Sequence, residues 1–462
     1  MGDEWPTVRL GNYVDSCLGK MLDKEKNRGD YYPYLGNKNV RWGNFDLEDL
    51  AHMRFEDHEH DRYGLKHGDL IVCEGGEPGR CAIWKNEVLN MKIQKALHRI
   101  RTGDGLNNVF LHYWFLWAGS TGALEPFFTG TTIKHLTGKA LVDLQIPLPP
   151  IEEQKSIAHI LGSLDDKIEL NRQMNTTLEA MAQALFKSWF VDFDPVIDNA
   201  LAVGNPIPEP FHLRAETRKA LGDKRKPLPE AVQKQFSSRF LFSEEMGWIP
   251  EGWKVFTLAD LCKKITDGAH QSPKSVDRDT GLPMASSKDL THYGVDFSSC
   301  RYISKEDFSV LLNNGCAPDI GDVLVAKDGS RCGETCCIYS SNVPVVLLSS
   351  VAILRLKSLE YSTYINSLLS RPETIANLRE NYVSGSAIPR IVLRDFKRYP
   401  VICPPEIIFK QWNINTESIH KRIVDSDCES NSLTSLRDAL LPKLLSGQLR
   451  IPDAEKLMAD AL

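Results

Sequence analysis

Two stretches of the chain repeat their apolar positions with a helical period. Residues 151–190 follow Pro149-Pro150, contain no proline, open with Glu152 and Glu153, and place apolar side chains at 157, 161, 164 and 168, then at 174, 178, 181 and 185. Spacings of four, three and four residues put them on one helical face, with a change of phase near Asn171. Ile157, Leu161, Leu164, Ile168, Leu178, Met181 and Leu185 are the expected seam. Forty residues predict a rod of about 60 Å. The second stretch, 406–447, follows Pro404-Pro405 and carries Ile408, Trp412, Ile419, Ile423, Leu433, Leu436, Leu440 and Leu444. Gly447 is its stop signal, and Pro442 should kink or end it near Leu441. Rods of this length need a partner. The simplest arrangement pairs the two antiparallel through Ile419, Ile423, Leu436 and Leu440; the alternative packs each on its own domain.

Each rod closes a longer pattern that occurs twice. Gly68-Asp69-Leu70-Ile71-Val72 matches Gly321-Asp322-Val323-Leu324-Val325, and Ala82-Ile83-Trp84 matches Cys337-Ile338-Tyr339. Gly130-Thr131-Thr132-Ile133 matches Gly385-Ser386-Ala387-Ile388, and Ala184-Leu185-Phe186 matches Ala439-Leu440-Leu441. The offset stays between 253 and 255 residues, so each copy is a whole domain and its helix. Such an internal pseudo-dyad suggests a ligand with two halves.

Within a copy the period switches to that of strands. Residues 5–14 and 253–262 read as an opening strand and short helix. The segments around Tyr34–Gly43 and Met284–Leu290 read as exposed polar loops, and 68–79 and 321–333 as strand, tight turn and returning strand. Gly75, Gly76 and Gly79, or Gly329 and Gly333, should supply the positive φ angles of those turns. Neither copy has the spacing of a phosphate-binding loop. The expected fold is therefore α/β (α+β): two β-rich units with flanking helices and two long antiparallel helices. Residues 195–250, with seven prolines and the cations Arg218, Lys219, Lys224, Arg225 and Lys226, read as a solvated linker with some helix around 214–236.

Composition narrows the function. The chain has 462 residues, is 42% hydrophobic and 25% charged, and carries a formal charge of −6. Residues 1–150 hold 18 Lys+Arg against 20 Asp+Glu, and 251–405 hold 18 against 17. Neither copy binds polyanions through bulk charge, so a nucleic-acid role needs local patches or a partner. An acidic start and the lack of a long apolar run predict a cytoplasmic protein with no membrane association. Eleven cysteines in apolar surroundings read as core residues. No Asp/Asn-Pro-Pro-aromatic tetrad of an amino-methyltransferase is present, and Asp322 and Asp328 lack the Glu-x-Lys of a nuclease core. His52, His58 and His60 read as an acidic, helical, solvated face rather than metal ligands. Cys332, Cys336 and Cys337 have no second pair for zinc.

The duplicated Gly-Asp phrases, the Gly130 and Gly385 turns and Pro147-Leu-Pro-Pro-Ile-Glu-Glu-Gln154 opening a long helix resemble the DNA specificity subunits of type I restriction-modification systems. The resemblance covers nearly the whole chain. It implies target-recognition domains at 1–150 and 251–405, a central conserved helix at 151–194, a linker at 195–250, a distal conserved helix at 406–447 and a tail at 448–462. It also implies a non-catalytic reader of a bipartite, asymmetric site on double-stranded DNA, docking two methylation subunits on its helices, with restriction/translocase subunits joining. AdoMet, ATP and Mg would belong to those partners. Loop residues matched between copies and able to donate to bases or phosphates are Lys38, Asn39, Arg41, Arg80, Thr131, Thr132 and Lys134, and Ser287, Lys288, Lys327, Ser330, Arg331, Ser386 and Arg390. Rival readings are a scaffold of a related methylation or phage-defence complex and a fused DNA methyltransferase or nuclease.

Overall fold

The computed structural model describes residues 5–23, 27–130, 133–224, 228–385 and 388–459. They divide into two compact units, Met1–Asn171 with Cys428–Leu462, and Arg172–Asp427. Each unit has the same sheet plan. In the first, Val14–Leu18, Leu97–Thr102, Leu70–Cys73 and Cys81–Ile83 lie side by side in that order, all antiparallel. In the second, Cys262–Asp267, Val351–Leu356, Val323–Ala326 and Cys336–Ile338 repeat that order. The smaller sheets match as well: Ala51–Phe55, Asp30–Leu35 and Lys92–Ile93 correspond to Arg301–Ile303, Leu282–Ala285 and Val346–Leu347. Each of these combines one antiparallel and one parallel pairing.

The Gly-Asp phrases open central strands. Leu70–Cys73 and Val323–Ala326 are buried along their whole length, which explains their continuous apolar runs. The aspartates tie the preceding turn to a neighbouring strand. Asp69 accepts from the Lys66 amide at 2.8 Å and pairs with Arg101 at 2.7 Å. Asp322 accepts from the Asp319 amide at 2.8 Å and pairs with Arg355 at 2.9 Å. Of the turn glycines, Gly76, Gly79, Gly329 and Gly333 have positive φ, but Gly75 does not. Gly75 is required for closeness instead: a Cβ there would lie 2.9 Å from the His135 ring.

The long helices run Ile151–Phe190 and Glu406–Leu445. Gln154 anchors the first. Its side chain is fully buried, accepts from the Asn107 amide at 2.8 Å, and donates to the carbonyls of Pro149 at 2.8 Å and Gly105 at 3.0 Å. At the matching position of the second helix stands Phe409, which packs on the rings of Tyr361 and Tyr364. Aromatic packing there replaces the hydrogen-bonded staple. Pro442 does not end the second helix, which continues through it to Leu445. Proline in a helix interior costs about 3 kcal/mol, whereas burying Leu440, Leu441, Leu444 and Leu445 contributes about 2 kcal/mol each.

In the first unit, Ile157, Leu161 and Leu164 share a core with Leu433, Leu440 and Leu444, and Arg437 pairs with Asp165 at 2.6 Å. In the second, Phe186, Trp189 and Phe190 share a core with Ile408, Phe409 and Trp412. Both sets of contacts are antiparallel, and both cores also contain sheet residues. Pairing and packing on a domain therefore coexist. The seam turns polar at its centre: the Asn171 amide donates to Glu429 at 2.7 Å, and the Asn175 amide donates to the Ile423 carbonyl at 3.2 Å. Beyond Asn171 the inward positions are Asn175, Ala182 and Phe186, so Met181, 55% exposed, lies off the seam. Leu178, Leu185 and Ile419 are half-buried flanks, as are Ile168 and Leu436, while Ile423 and Leu440 are buried.

Three further expectations are corrected. The segment 195–250 is folded rather than a solvated linker. It forms helices Asp194–Val203 and His212–Leu221 and a hairpin of Phe240–Ser243 with Gly247–Pro250, and it buries Val196, Ile197, Phe236 and Phe240 in the second unit's core. Arg218 there is not solvated but ion-paired with Asp194 and Asp198; Arg225 and Lys226 lie outside the described residues. The histidine-rich stretch is helical only in its second half: His52 lies on the strand Ala51–Phe55, while His58 and His60 lie on the 3-10 helix Asp57–Glu59 and the one-turn α-helix His60–Tyr63. The loops after Tyr34 and Met284 are single tight turns whose third residues, Asn39 and Asp289, are buried.

His112, on helix Asn108–Ser120, is buried beside the Cys81 thiol. Burial holds its pKa down at about 4 against an ordinary 6.5. The folded form therefore disfavours the charged ring, and stability present above pH 6.5 is lost as pH falls toward 4. By linkage the loss reaches about 3 kcal/mol. Chemical denaturation of wild type and His112→Gln from pH 7 to 4 should show this slope in the first unit of the wild type only.

Candidate nucleic-acid interface

The matched loops converge at one edge of each unit. In the first, Glu74–Arg80 forms the turn between the central strand Leu70–Cys73 and the edge strand Cys81–Ile83, and isolated bridges join His135 to Gly75 and to Thr129. Arg80 reaches across to the Asn37 carbonyl at 2.9 Å and pairs with Glu77 at 3.0 Å. Glu77 also accepts from the indole of Trp42 at 2.6 Å. Lys38, Arg41, Arg80 and Lys134 are thus brought together on three adjoining loops. Asn39 is not available there: its side chain accepts from the Gly36 amide and donates to the Asp46 carbonyl, both at 3.0 Å.

The second unit builds the same edge with different polar groups. Asp328 bridges to Arg390 of the hairpin 384–390, and the Gly329 amide donates to the Pro389 carbonyl at 2.9 Å. The Ser287 hydroxyl donates to the Asp328 carbonyl at 3.2 Å. Ser287, Ser330, Arg331 and Arg390 gather around this turn, with Lys288 exposed on the adjoining one. Lys327 faces inward, 5% exposed, and pairs with Asp267 at 2.7 Å. It braces the turn and is not a contact residue. Thr131, Thr132 and Ser386 lie outside the described residues.

Most exposed cations here carry a carboxylate. Lys38 pairs with Asp49 at 2.8 Å, Arg41 with Asp46 at 3.1 Å, Lys134 with Glu125 at 3.4 Å and Arg390 with Asp328 at 3.0 Å. The Asp49 contact raises the Lys38 pKa, and Lys38 lowers that of Asp49. Exposed pairs contribute 0–1 kcal/mol, so a phosphate can displace the carboxylate at little cost. Among the described residues, Lys288 and Arg331 have no ion pair. The sequence reading missed Trp42 and Asp328, which organise the two edges. Trp42 packs against Gly119, where a Cβ would lie 2.3 Å from the indole, a contact that the sequence by itself does not signal.

The structure and the sequence can be set against known proteins. The family model for the type I restriction modification DNA specificity domain matches residues 2–180 and again 250–412. The chain belongs to this family. Both matches fall on the repeated units, so the resemblance drawn from the Gly-Asp and Pro-Pro phrases is borne out. The chain is 25% identical over 396 residues to the type I restriction enzyme MjaIX specificity subunit of Methanocaldococcus jannaschii, covering 84% of this chain and 78% of that one. It is 27% identical over 421 residues to the HindI specificity subunit of Haemophilus influenzae, covering 83% and 87%. A crystal structure of a type I restriction-modification S subunit from M. genitalium superposes with a TM-score of 0.50 at 16% identity over 96% of both chains, a likeness of fold.

Within this specificity-domain family member, the buried and exposed lysines of the edge should behave differently. Lys327→Ala removes the buried cation that pairs with Asp267, while Asp328 keeps its pair with Arg390, and should lower the second unit's stability by about 3 kcal/mol. Lys38→Ala should change stability by under about 1 kcal/mol. Thermal denaturation of both variants checks the contrast.

Proposed function

We propose that this chain is the sequence-specificity subunit of a type I restriction-modification complex, a non-catalytic reader of a bipartite, asymmetric DNA site. In this reading 1–150 and 251–405 are its target-recognition domains, each addressing one half-site, and the long helices join them and dock two methylation subunits. Restriction/translocase subunits complete the assembly. AdoMet, ATP and Mg enter with the partners, which act in the cytoplasm.

The observation that carries the reading is the duplication of one fold with the same loop edge but different polar groups on it. Two copies of a scaffold with unlike heads suit a target whose halves differ. Phosphate contacts position such a protein, and base-edge contacts specify the site. Exposed Leu170 and Met181 on the first helix and Ile407 and Ile414 on the second support partner docking there, since isolated apolar side chains seven or more residues apart do not pack within one rod. Among the described residues, no helix is long and apolar enough to cross a membrane.

The test is co-expression with a methylation subunit, followed by single-molecule sequencing of methylated adenines. A split motif should appear, and exchanging residues 1–150 for those of a relative should change one half only. Methylation without sequence preference would make the chain a scaffold. Arg331→Ala should cost about 1–3 kcal/mol and relax the motif at one base; a loss equal across all sequences would make Arg331 a phosphate contact.

A further inference from the structure

The two hairpins at the recognition edges share one feature that charge and hydrogen bonding leave unexplained. Gly130 has φ +94° and Gly385 φ +91°, and a Cβ at either would collide with the carbonyl of the residue three positions on, at 2.3 Å from Ile133 and 2.6 Å from Ile388. The same residue type thus stands three positions after each glycine. Ile133 is 63% exposed and Ile388 64% exposed. A single exposed isoleucine on a soluble protein needs no explanation. Two at matched positions, on turns bridged to Gly75 and Asp328 beside the candidate base readers, are a different matter. A cation follows each isoleucine, Lys134 directly in one copy and Arg390 after Pro389 in the other. Neither side chain belongs to any of the buried apolar clusters of its unit.

We infer that Ile133 and Ile388 are apolar base readers, each contacting the 5-methyl group of a thymine in the major groove of its own half-site. This rests on the chain being a specificity subunit and names a chemistry for its recognition edge. In the major groove thymine alone presents a methyl, which polar side chains cannot distinguish from bare ring carbon. A β-branched side chain has few rotamers to lose on contact. Lys134, next to Ile133, and Arg390, two residues after Ile388, are placed to hold phosphates while the isoleucine enters the groove.

The experiment uses the complex of this chain with its methylation subunits and a duplex carrying the motif found by methylome sequencing. Each thymine is replaced in turn by deoxyuridine, which removes only the methyl. For the wild type, one replacement in each half should weaken binding about fivefold, the scale of one buried methyl group. Ile133→Ala should show the same loss on the unmodified duplex and no further loss on deoxyuridine in the first half, with the second half unaffected; Ile388→Ala should mirror it. Equal deoxyuridine sensitivity in wild type and variant overturns the inference, as does wild-type binding by both variants. Loss of DNA bending with no deoxyuridine effect would make the residues wedges and also overturn it. If the wild-type complex yields no split motif, the specificity-subunit reading itself has failed, a result distinguishable from all of these.

Discussion

Each globular core is finished by helix halves from both copies of the repeat. The first unit's sheet packs on Ile157, Leu161 and Leu164 from its own helix, but also on Leu433, Leu440 and Leu444, which lie about 270 residues further on. The second unit likewise takes Phe186, Trp189 and Phe190 from the preceding helix and Trp412 from its own. Removing either contribution forfeits the burial of large side chains at about 2–3 kcal/mol apiece, several kcal/mol for each set. Neither copy of the sequence is therefore a self-sufficient domain. The helix pair belongs to the folding of both units.

On that base, the fold separates what is repeated from what varies. The Gly-Asp turn, the Asp–Arg pair behind it, the buried strand it opens and the positive-φ glycine of the following hairpin occur in both units. The polar groups at the edge do not: Glu74-Gly-Gly-Glu77 in one stands where Lys327-Asp-Gly-Ser330 does in the other. Backbone and braces are fixed while the heads change, which is the requirement for reading two unlike half-sites with one scaffold. The carboxylates beside the cations also explain how the edge coexists with a net charge of −6. A cation already paired at the surface loses little when phosphate takes the place of the carboxylate.

Much of this was legible in the sequence, and the exceptions have physical causes. The first helix ends where its pattern ends, at Phe190, because a 40-residue period with a proline pair before it leaves no other reading. Pro442 misled because a local rule was outvoted by four buried leucines supplied by a core that sequence alone does not reveal. Residues 195–250 looked like linker because proline and charge dominate them; their aromatic residues, Phe211, Phe236 and Phe240, carried the opposite message. Asn39 and Lys327 were of the right chemical type in the right loops. Their burial depends on partners, Asp46 and Asp267, that a single sequence does not assign.

The seam shift near Asn171 was visible as a break in phase, and its meaning emerges only from the contacts. A seam of leucines alone can slide by one heptad while still burying apolar surface. Asn175 is 2% exposed and donates to the Ile423 carbonyl, and Asn171, 1% exposed, donates to Glu429. A slip of seven residues would move each asparagine about 10 Å along the axis and strand buried amide groups, at about 1–3 kcal/mol apiece. The apolar ends of the helices are buried within each unit's own core, while the polar centre selects which of the possible registers the helix pair holds.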